Sequence, residues 1–482
     1  MSIRKAVISG VKWTTISTFS LAVANLLKIS VLARFLDKSD FGLMALVTFV
    51  LGFMNLFMDM GLSSAILHKQ NITEEEYASL YWINIIFSLV LFVMISVLSP
   101  VIATFYKEIE LMKLIPLMSI SIILSALGRQ FRTIEQKELH FRYLAFIDIV
   151  GAVSGLIIGI ILAIMGTGVY ALIFGSLAHY AVSNGILFIK GLFTRGVLFH
   201  FNYTETKPFL KIGLYQVGGQ TVNYFNRDLD VLLIGKFFGT DVLGGYSLAK
   251  ELVRRPMQVI NPIITKVAMS IFPKFQNDHS SLRRYFINLF TGMGALNAFI
   301  YGSIAIFAPN LVLLFFGSDF LSIAIYVQLF SIVIYLRSMG SNVGILVITT
   351  GRTDYDFYWN IFVTIVMPFA IIVGAQHSVE MIIIMLGLVQ ICLLVPGWYM
   401  FYHKLINLKF APYIGPTLIP LVISVSIFLA SKIFLIEGLI GQILFCTVLI
   451  GLLIVYSYTK LNEFRVFIDL LYNKHIKHLK KN

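Results

Sequence analysis

Between residues 13 and 458 this chain is a succession of apolar runs long enough to cross a lipid bilayer, separated by short polar connections. A crossing helix needs about 20 mostly apolar residues, at 1.5 Å each, to span roughly 30 Å of hydrocarbon. Fourteen spans can be placed, near residues 13–34, 41–65, 78–104, 112–128, 143–164, 169–189, 210–235, 242–270, 285–307, 321–345, 357–375, 381–401, 414–431 and 440–458. Lipid offers no hydrogen-bond partners, so each span must satisfy its own backbone as a helix. The expected fold class is an all-α polytopic membrane protein. A chain that is 58% hydrophobic and 13% charged, with a mean hydropathy of +0.87, has more apolar surface than a soluble core absorbs. The first span is too long for a signal-peptide core and lacks a small-residue cleavage site, so it is expected to be retained.

Charge tests the count. With the amino terminus inside, 24 of the 37 Lys and Arg residues fall in cytoplasmic segments, six on the opposite side and seven within spans. A wrong number of spans would scramble that asymmetry, so the positive-inside rule predicts both termini in the cytoplasm. The net charge of +13 then reads as topology and attraction to anionic membrane lipids, with the tail from Lys474 to Lys481 as a surface tether, and not as nucleic-acid binding. Cys392 and Cys446 lie in apolar spans without metal or disulfide spacing, so no metal and no cofactor is expected.

The chain also repeats. A shift of 202 residues lays Val31-Leu-Ala-Arg-Phe-Leu on Leu233-Ile-Gly-Lys-Phe-Phe, Arg34 on Lys236, Gly42 on Gly244 and Leu46 on Leu248. A shift of 212 lays the run starting at Ser119 on the run starting at Ser331. Two six-span lobes are expected, 1–195 and 196–408, followed by two more spans in 409–482. Six is even, so both lobes start on the same side, as in a parallel repeat about the membrane normal.

Gln216, Gln220, Asn223, Arg227 and Asp230 recur at helical spacing along one face of the seventh span. The same shift gives Thr14, Thr18, Leu21, Asn25 and Lys28 in the first span, so two equivalent wet faces are expected. Lys28, Arg227, Lys250, Arg254, Arg255 and Arg337 sit deep in spans, and exposing six such bases to lipid would cost on the order of 15 to 20 kcal/mol. They must face a hydrated interior. Arg227 with Asp230, and Glu251 with Arg254 or Arg255, have spacing for local pairing, which leaves Lys28, Lys250 and Arg337 as the anion candidates, with Arg254 beside Lys250 and Asn261. Asn25, Gln216, Gln220, Asn223 and Tyr224 suit sugar hydroxyls, though hydrogen bonding between helices accounts for them equally well. Asp59, alone in its span, and Asp230 are candidates for coupling to H⁺ or Na⁺, while Asp148 reads as an interfacial anchor. Pro256 and Pro262 are expected to interrupt the eighth span, and Pro368 and Pro396 to do the same further on.

Several motifs carry a family resemblance. Val31-Leu-Ala-Arg-Phe-Leu with Phe41-Gly-Leu, Asp59-Met-Gly-Leu-Ser-Ser-Ala-Ile-Leu, Tyr81-Trp-Ile-Asn, the Gln130 to Phe141 stretch and Asn261-Pro-Ile-Ile-Thr-Lys-Val resemble the bacterial polysaccharide exporters of the colanic acid and teichuronic acid type. The resemblance covers about the first 360 residues. It implies the multidrug/oligosaccharidyl-lipid/polysaccharide exporter superfamily: two six-helix lobes around a central cavity, with two appended helices. It further implies flipping of oligosaccharides linked through pyrophosphate to a polyprenyl lipid, by alternating access, beside a polysaccharide polymerase and glycosyltransferases. The Gln130 to Phe141 stretch is expected to be an amphipathic helix that packs its lobe. A peptidoglycan-precursor flippase stays open as an alternative. A multidrug exporter for cations is disfavoured by the cavity bases. A membrane-bound glycosyltransferase or polymerase is disfavoured because no long outer loop presents catalytic groups, and no catalytic residue is expected.

Overall fold

A computed structural model describes residues 3–59, 62–69, 72–196, 198–276, 278–434, 438–461 and 465. Among the described residues there is no strand. The helices are α1 (Ile3–Leu32), α2 (Lys38–Asp59), α3 (Leu62–His68), α4 (Glu74–Tyr106), α5 (Leu111–Lys137), α6 (Phe141–Ile164), α7 (Val169–Arg195), α8 (Tyr203–Ile271), α9 (His279–Phe315), α10 (Ala324–Gly340), α11 (Val343–Thr350), α12 (Thr353–Ala375), α13 (Val379–Cys392), α14 (Leu394–Gly397), α15 (Lys404–Ile406), α16 (Phe410–Ile433) and α17 (Leu439–Lys460). Thirteen helical stretches in the described residues are long and apolar enough to cross a membrane. The tail from Lys474 to Lys481 lies outside the described residues.

One of the thirteen, Gln220–Phe275, is 56 residues long, far more than one crossing requires. It belongs to α8, which leaves helical geometry only at Gly239 (φ 80°, ψ 179°), a conformation open to glycine. That break falls in the connection predicted between the seventh and eighth spans. Pro256 and Pro262 were expected to interrupt the helix, but α8 runs through both with helical backbone angles. The ring's fixed φ suits a helix, and in a packed bundle the lost hydrogen bond is tolerated. After Pro396 the chain does depart from α geometry, in a π-helical turn at Trp398–His403.

Helix contacts divide the molecule into two compact units, Met1–Leu248 with Leu314–Phe320, and Ala249–Leu313 with Leu321–Asn482. In the first unit, α6 and α7 approach through glycine. A Cβ on Gly155 would lie 2.5 Å from the Gly175 carbonyl oxygen, and one on Gly175 2.8 Å from that of Gly155. Lipid gives helices no hydrophobic reason to associate, so such close backbone packing supplies the attraction. The Gln130 to Phe141 stretch packs the bundle, as expected. Gln130 donates to the Tyr77 carbonyl at 2.8 Å, Glu135 pairs with Lys190 at 2.8 Å, and Phe131 fills the notch left by Gly191.

The start of α2 crosses α8 just beyond Gly239. A Cβ on Gly42 would fall 1.8 Å from the Thr240 carbonyl oxygen, and one on Gly244 1.8 Å from that of Lys38. These two contacts are related by the same 202-residue shift that the sequence shows. Arg34 and Lys236, also shift-related, donate to the Leu314 and Phe105 carbonyls near the ends of α9 and α4. In the second unit, Ser424 on α16 donates to the Ala298 carbonyl on α9, Tyr335 on α10 donates to the Thr417 carbonyl, and Tyr402 stacks on Tyr413 at 4.5 Å.

Candidate functional site

In the first unit, α1 leaves Thr18 and Asn25 exposed, while Ser17 turns inward to the Asp148 carboxylate at 3.4 Å. Lys28 is half-buried and does not share the exposed face. Its Nζ donates to the Ser176 hydroxyl on α7 at 3.2 Å, and among the described residues no carboxylate pairs with it. The Ser176 proton is given to the Leu172 carbonyl at 2.8 Å, which leaves the oxygen free to accept from Lys28.

The stripe on α8 divides. Gln220, Asn223 and Arg227 are exposed, and Arg227 pairs with Asp228 at 2.6 Å. Tyr224 points elsewhere: it is buried against Phe49 and Phe53 of α2, and its hydroxyl donates to the Phe49 carbonyl at 2.6 Å. Gly52 makes room for it, since a Cβ there would lie 2.4 Å from the Tyr224 oxygen. Asp230 is buried and accepts from the Tyr246 hydroxyl. The side chains of Gln216 and Asp59 lie outside the described residues.

In the second unit Lys250 is 6% exposed, and Arg254 and Arg337 are half-buried. Each of the three has polar interactions of its own. Glu251 pairs with Arg255 at 2.6 Å, one turn along α8. Asn261 is buried and committed to helix packing: its amide donates to Ser341 at 2.8 Å, and Ser338 donates to its carbonyl at 3.1 Å while accepting from Asn297. A largely apolar cleft opens among α9, α10 and α16, lined by Tyr301, Gln328, Ser331 and Phe428 among others.

Two features escaped sequence reasoning. Asp148, expected as an interfacial anchor, is gripped by both terminal nitrogens of Arg132 on α5, one at 3.3 Å. His179 on α7 lies over the glycine face of α6, where a Cβ on Gly151 would be 3.2 Å from its Nδ1. Its clue was the bare fact of an imidazole in an apolar span, one turn from Ser176. No group of three or more His, Cys, Asp or Glu side chains able to hold a metal occurs among the described residues.

Residues 31–325, more than half of the chain, match the family described as "Polysaccharide biosynthesis protein". The chain belongs to this family. It is 30% identical over 436 residues to "Lipopolysaccharide biosynthesis protein WzxC" of Escherichia coli (strain K12), covering 89% of this chain and 88% of that one. It is likewise 30% identical over 378 residues to "Teichuronic acid biosynthesis protein TuaB" of Bacillus subtilis (strain 168), covering 78% of each. The resemblance read from the motifs is thereby borne out. Among solved structures, the inward closed conformation of the lipid II flippase MurJ superposes with a TM-score of 0.76 at 14% identity, over 95% of this chain and 100% of that one. An inward-facing multidrug resistance MATE family transporter superposes with a TM-score of 0.61 at 15% identity, over 80% and 98%. These two show the fold: an all-α polytopic bundle of the type that MurJ and the MATE transporters share.

Proposed function

We propose that this protein flips polyprenyl-pyrophosphate-linked oligosaccharides across the bacterial plasma membrane by alternating access. In this reading fourteen helices cross the membrane, as two lobes of six and an appended pair, with both termini in the cytoplasm. Membership of the polysaccharide biosynthesis family and a fold shared with a lipid flippase support it. The observation that carries it is Lys28, a base deep in a span whose described partner is one neutral hydroxyl. A buried ammonium needs a counter-charge, and a pyrophosphate headgroup supplies one. Lys250, Arg254, Arg227 and Arg337 are the further bases assigned to anion contact, and Asn25, Gln216, Gln220 and Asn223 are assigned to the sugars. The Tyr224 hydroxyl, held by Phe49, positions α8 beside them, and Asn261 fixes the helix that carries Lys250. Asp59 and Asp230 are the carboxylates assigned to an H⁺ or Na⁺ coupling step. The cleft on α9, α10 and α16 offers apolar walls to part of an isoprenoid chain.

The test is charge reversal. Lys28→Glu abolishes surface polysaccharide in a strain that depends on this protein, with the variant inserted at normal levels. Unchanged polysaccharide in Lys28→Glu, Lys250→Glu and Arg337→Glu alike would remove the anion assignment. The MurJ fold favours one second reading, a peptidoglycan precursor as substrate. Complementation of a lipid II flippase deficiency would establish it.

A further inference from the structure

Arg132 and Asp148 pair at one end of the α1, α6 and α7 bundle, and among the described residues neither Lys28 nor His179 has an ion pair with a carboxylate. The charged groups acting on His179 are Lys28 from α1, Arg132 from α5 and Asp148 from α6, and its neighbour Tyr180 contributes a ring edge-on at 5.5 Å. His179 and Ser176 are three residues apart and therefore share a face of α7. Along α6, Gly151 and Gly155 leave room for His179, a Cβ on Gly155 falling 3.0 Å from its Cβ, and Gly159 leaves room for the Lys28 stem, a Cβ there standing 3.8 Å from Lys28 Cε. Along α1, Ser17, which contacts Asp148, lies eleven residues before Lys28, about 16 Å at the helical rise. Polar groups thus line the interior of the unit from mid-membrane toward its predicted cytoplasmic end.

We infer that His179 exchanges the proton of Lys28 with the cytoplasmic side, so that Lys28 is charged while an anionic headgroup is bound and neutral after it leaves. The inference rests on the headgroup reading of Lys28 proposed above. In the step, an N–H bond of the Lys28 ammonium breaks, and an N–H bond forms on neutral His179 by way of the Ser176 hydroxyl and water. The imidazolium then returns its proton to water beside Asp148. Two bases that act on each other, with the nearby Asp148 carboxylate already held by Arg132, hold one proton between them more readily than two, because like charges in a low dielectric repel. Each turnover thereby takes one proton from the cytoplasmic side and gives it back there, with no net proton transfer across the membrane, and spares an unpaired ammonium during the return.

The purified full chain in nanodiscs, with geranylgeranyl diphosphate as probe, tests this. In the wild type, affinity falls by up to tenfold per pH unit once Lys28 titrates, the signature of one linked proton. Lys28→Arg binds with a flat pH profile. His179→Asn binds within about twofold of wild type, yet flips a fluorescent polyprenyl diphosphate sugar at least tenfold more slowly in liposomes. Ser176→Ala, a change too small to threaten folding, displaces the pH profile of binding. A flat wild-type profile, or a His179→Asn rate equal to wild type with Lys28→Met unable to bind, overturns the proton inference and leaves the headgroup reading standing. Wild-type binding by Lys28→Met overturns both.

Discussion

Tyr224 shows how far a residue pattern carries. Its position beside Asn223 on an apolar helix suggested a sugar contact, yet the residue next to a polar stripe on a helix points about 100° away from it. The structure buries its ring between Phe49 and Phe53 and closes its hydroxyl on a backbone carbonyl. Tyr224→Phe leaves that carbonyl without its donor and should destabilise the protein by about 1 kcal/mol. The expected result is a lowered thermal midpoint with the flipping rate per folded molecule unchanged; a selective loss of flipping would return the hydroxyl to the substrate. Outside the membrane, Glu205 makes a pH prediction. The Ser79 hydroxyl, at 2.6 Å, and then His200, at 3.0 Å, hold its carboxyl below the usual carboxylate range. A carboxyl lowered by folding stabilises the structure above its unfolded value, about 4.3, and that contribution is lost as pH falls through the lower folded value. The same cluster fastens the connector before α8, where Trp82 donates to the Leu198 carbonyl and stacks on Phe199 at 5.4 Å. In a variant with Trp82 as sole tryptophan, acidification below about pH 4 should shift its emission, and Glu205→Gln should remove that pH dependence. Identical profiles in the two would refute the clasp.

Among the elements, helix existence was legible and helix interruption was not. Apolar length specifies a span, but whether Pro256 bends or breaks it depends on neighbours that no local pattern contains. Gly239 was the real break, and its signal was a glycine in a short polar gap. The crossing of α2 over α8 was half legible: the shift paired Gly42 with Gly244, but only the structure puts each glycine on the backbone opposite the other. Gly42→Ala would drive its methyl into the Thr240 carbonyl, which cannot move as a side chain does. The helices should separate there, with a loss of a few kcal/mol read as a lowered melting temperature in detergent. Ser39 and Thr240 face each other at this crossing with their oxygens 3.0 Å apart. Cysteines at both positions should form a disulfide on mild oxidation. If transport parts these helices, the oxidised protein stops flipping and reduction restores it; full activity when oxidised would mean that this crossing is fixed throughout the cycle.

For the molecule as a whole, bulk composition carried the most information, because lipid as a solvent removes nearly every alternative to a helical bundle. What stayed hidden is which way the buried bases point, since Lys28 reaches into its own unit toward α7 and does not lie on the exposed face with Asn25. Orientation in the membrane rests on the 24-to-six division of basic residues, and it makes a prediction independent of any site. Single cysteines placed in a background lacking Cys392 and Cys446 should react with an impermeant maleimide from outside intact cells at Lys107 and Lys432. Those at Lys137 and Lys409 should react only after the membrane is opened. The connection at Gly239 decides between span counts: a cysteine at Asp241 is reached from outside if α8 crosses twice. Protection at both Asp241 and Lys432, with labelling kept at Lys107, would mean a single crossing and would invert every assignment after it. The six basic residues after Thr459 also favour a cytoplasmic carboxyl terminus, so an even number of crossings must connect it to a cytoplasmic start. Labelling both termini in the same cells separates the fourteen-span arrangement from one of thirteen.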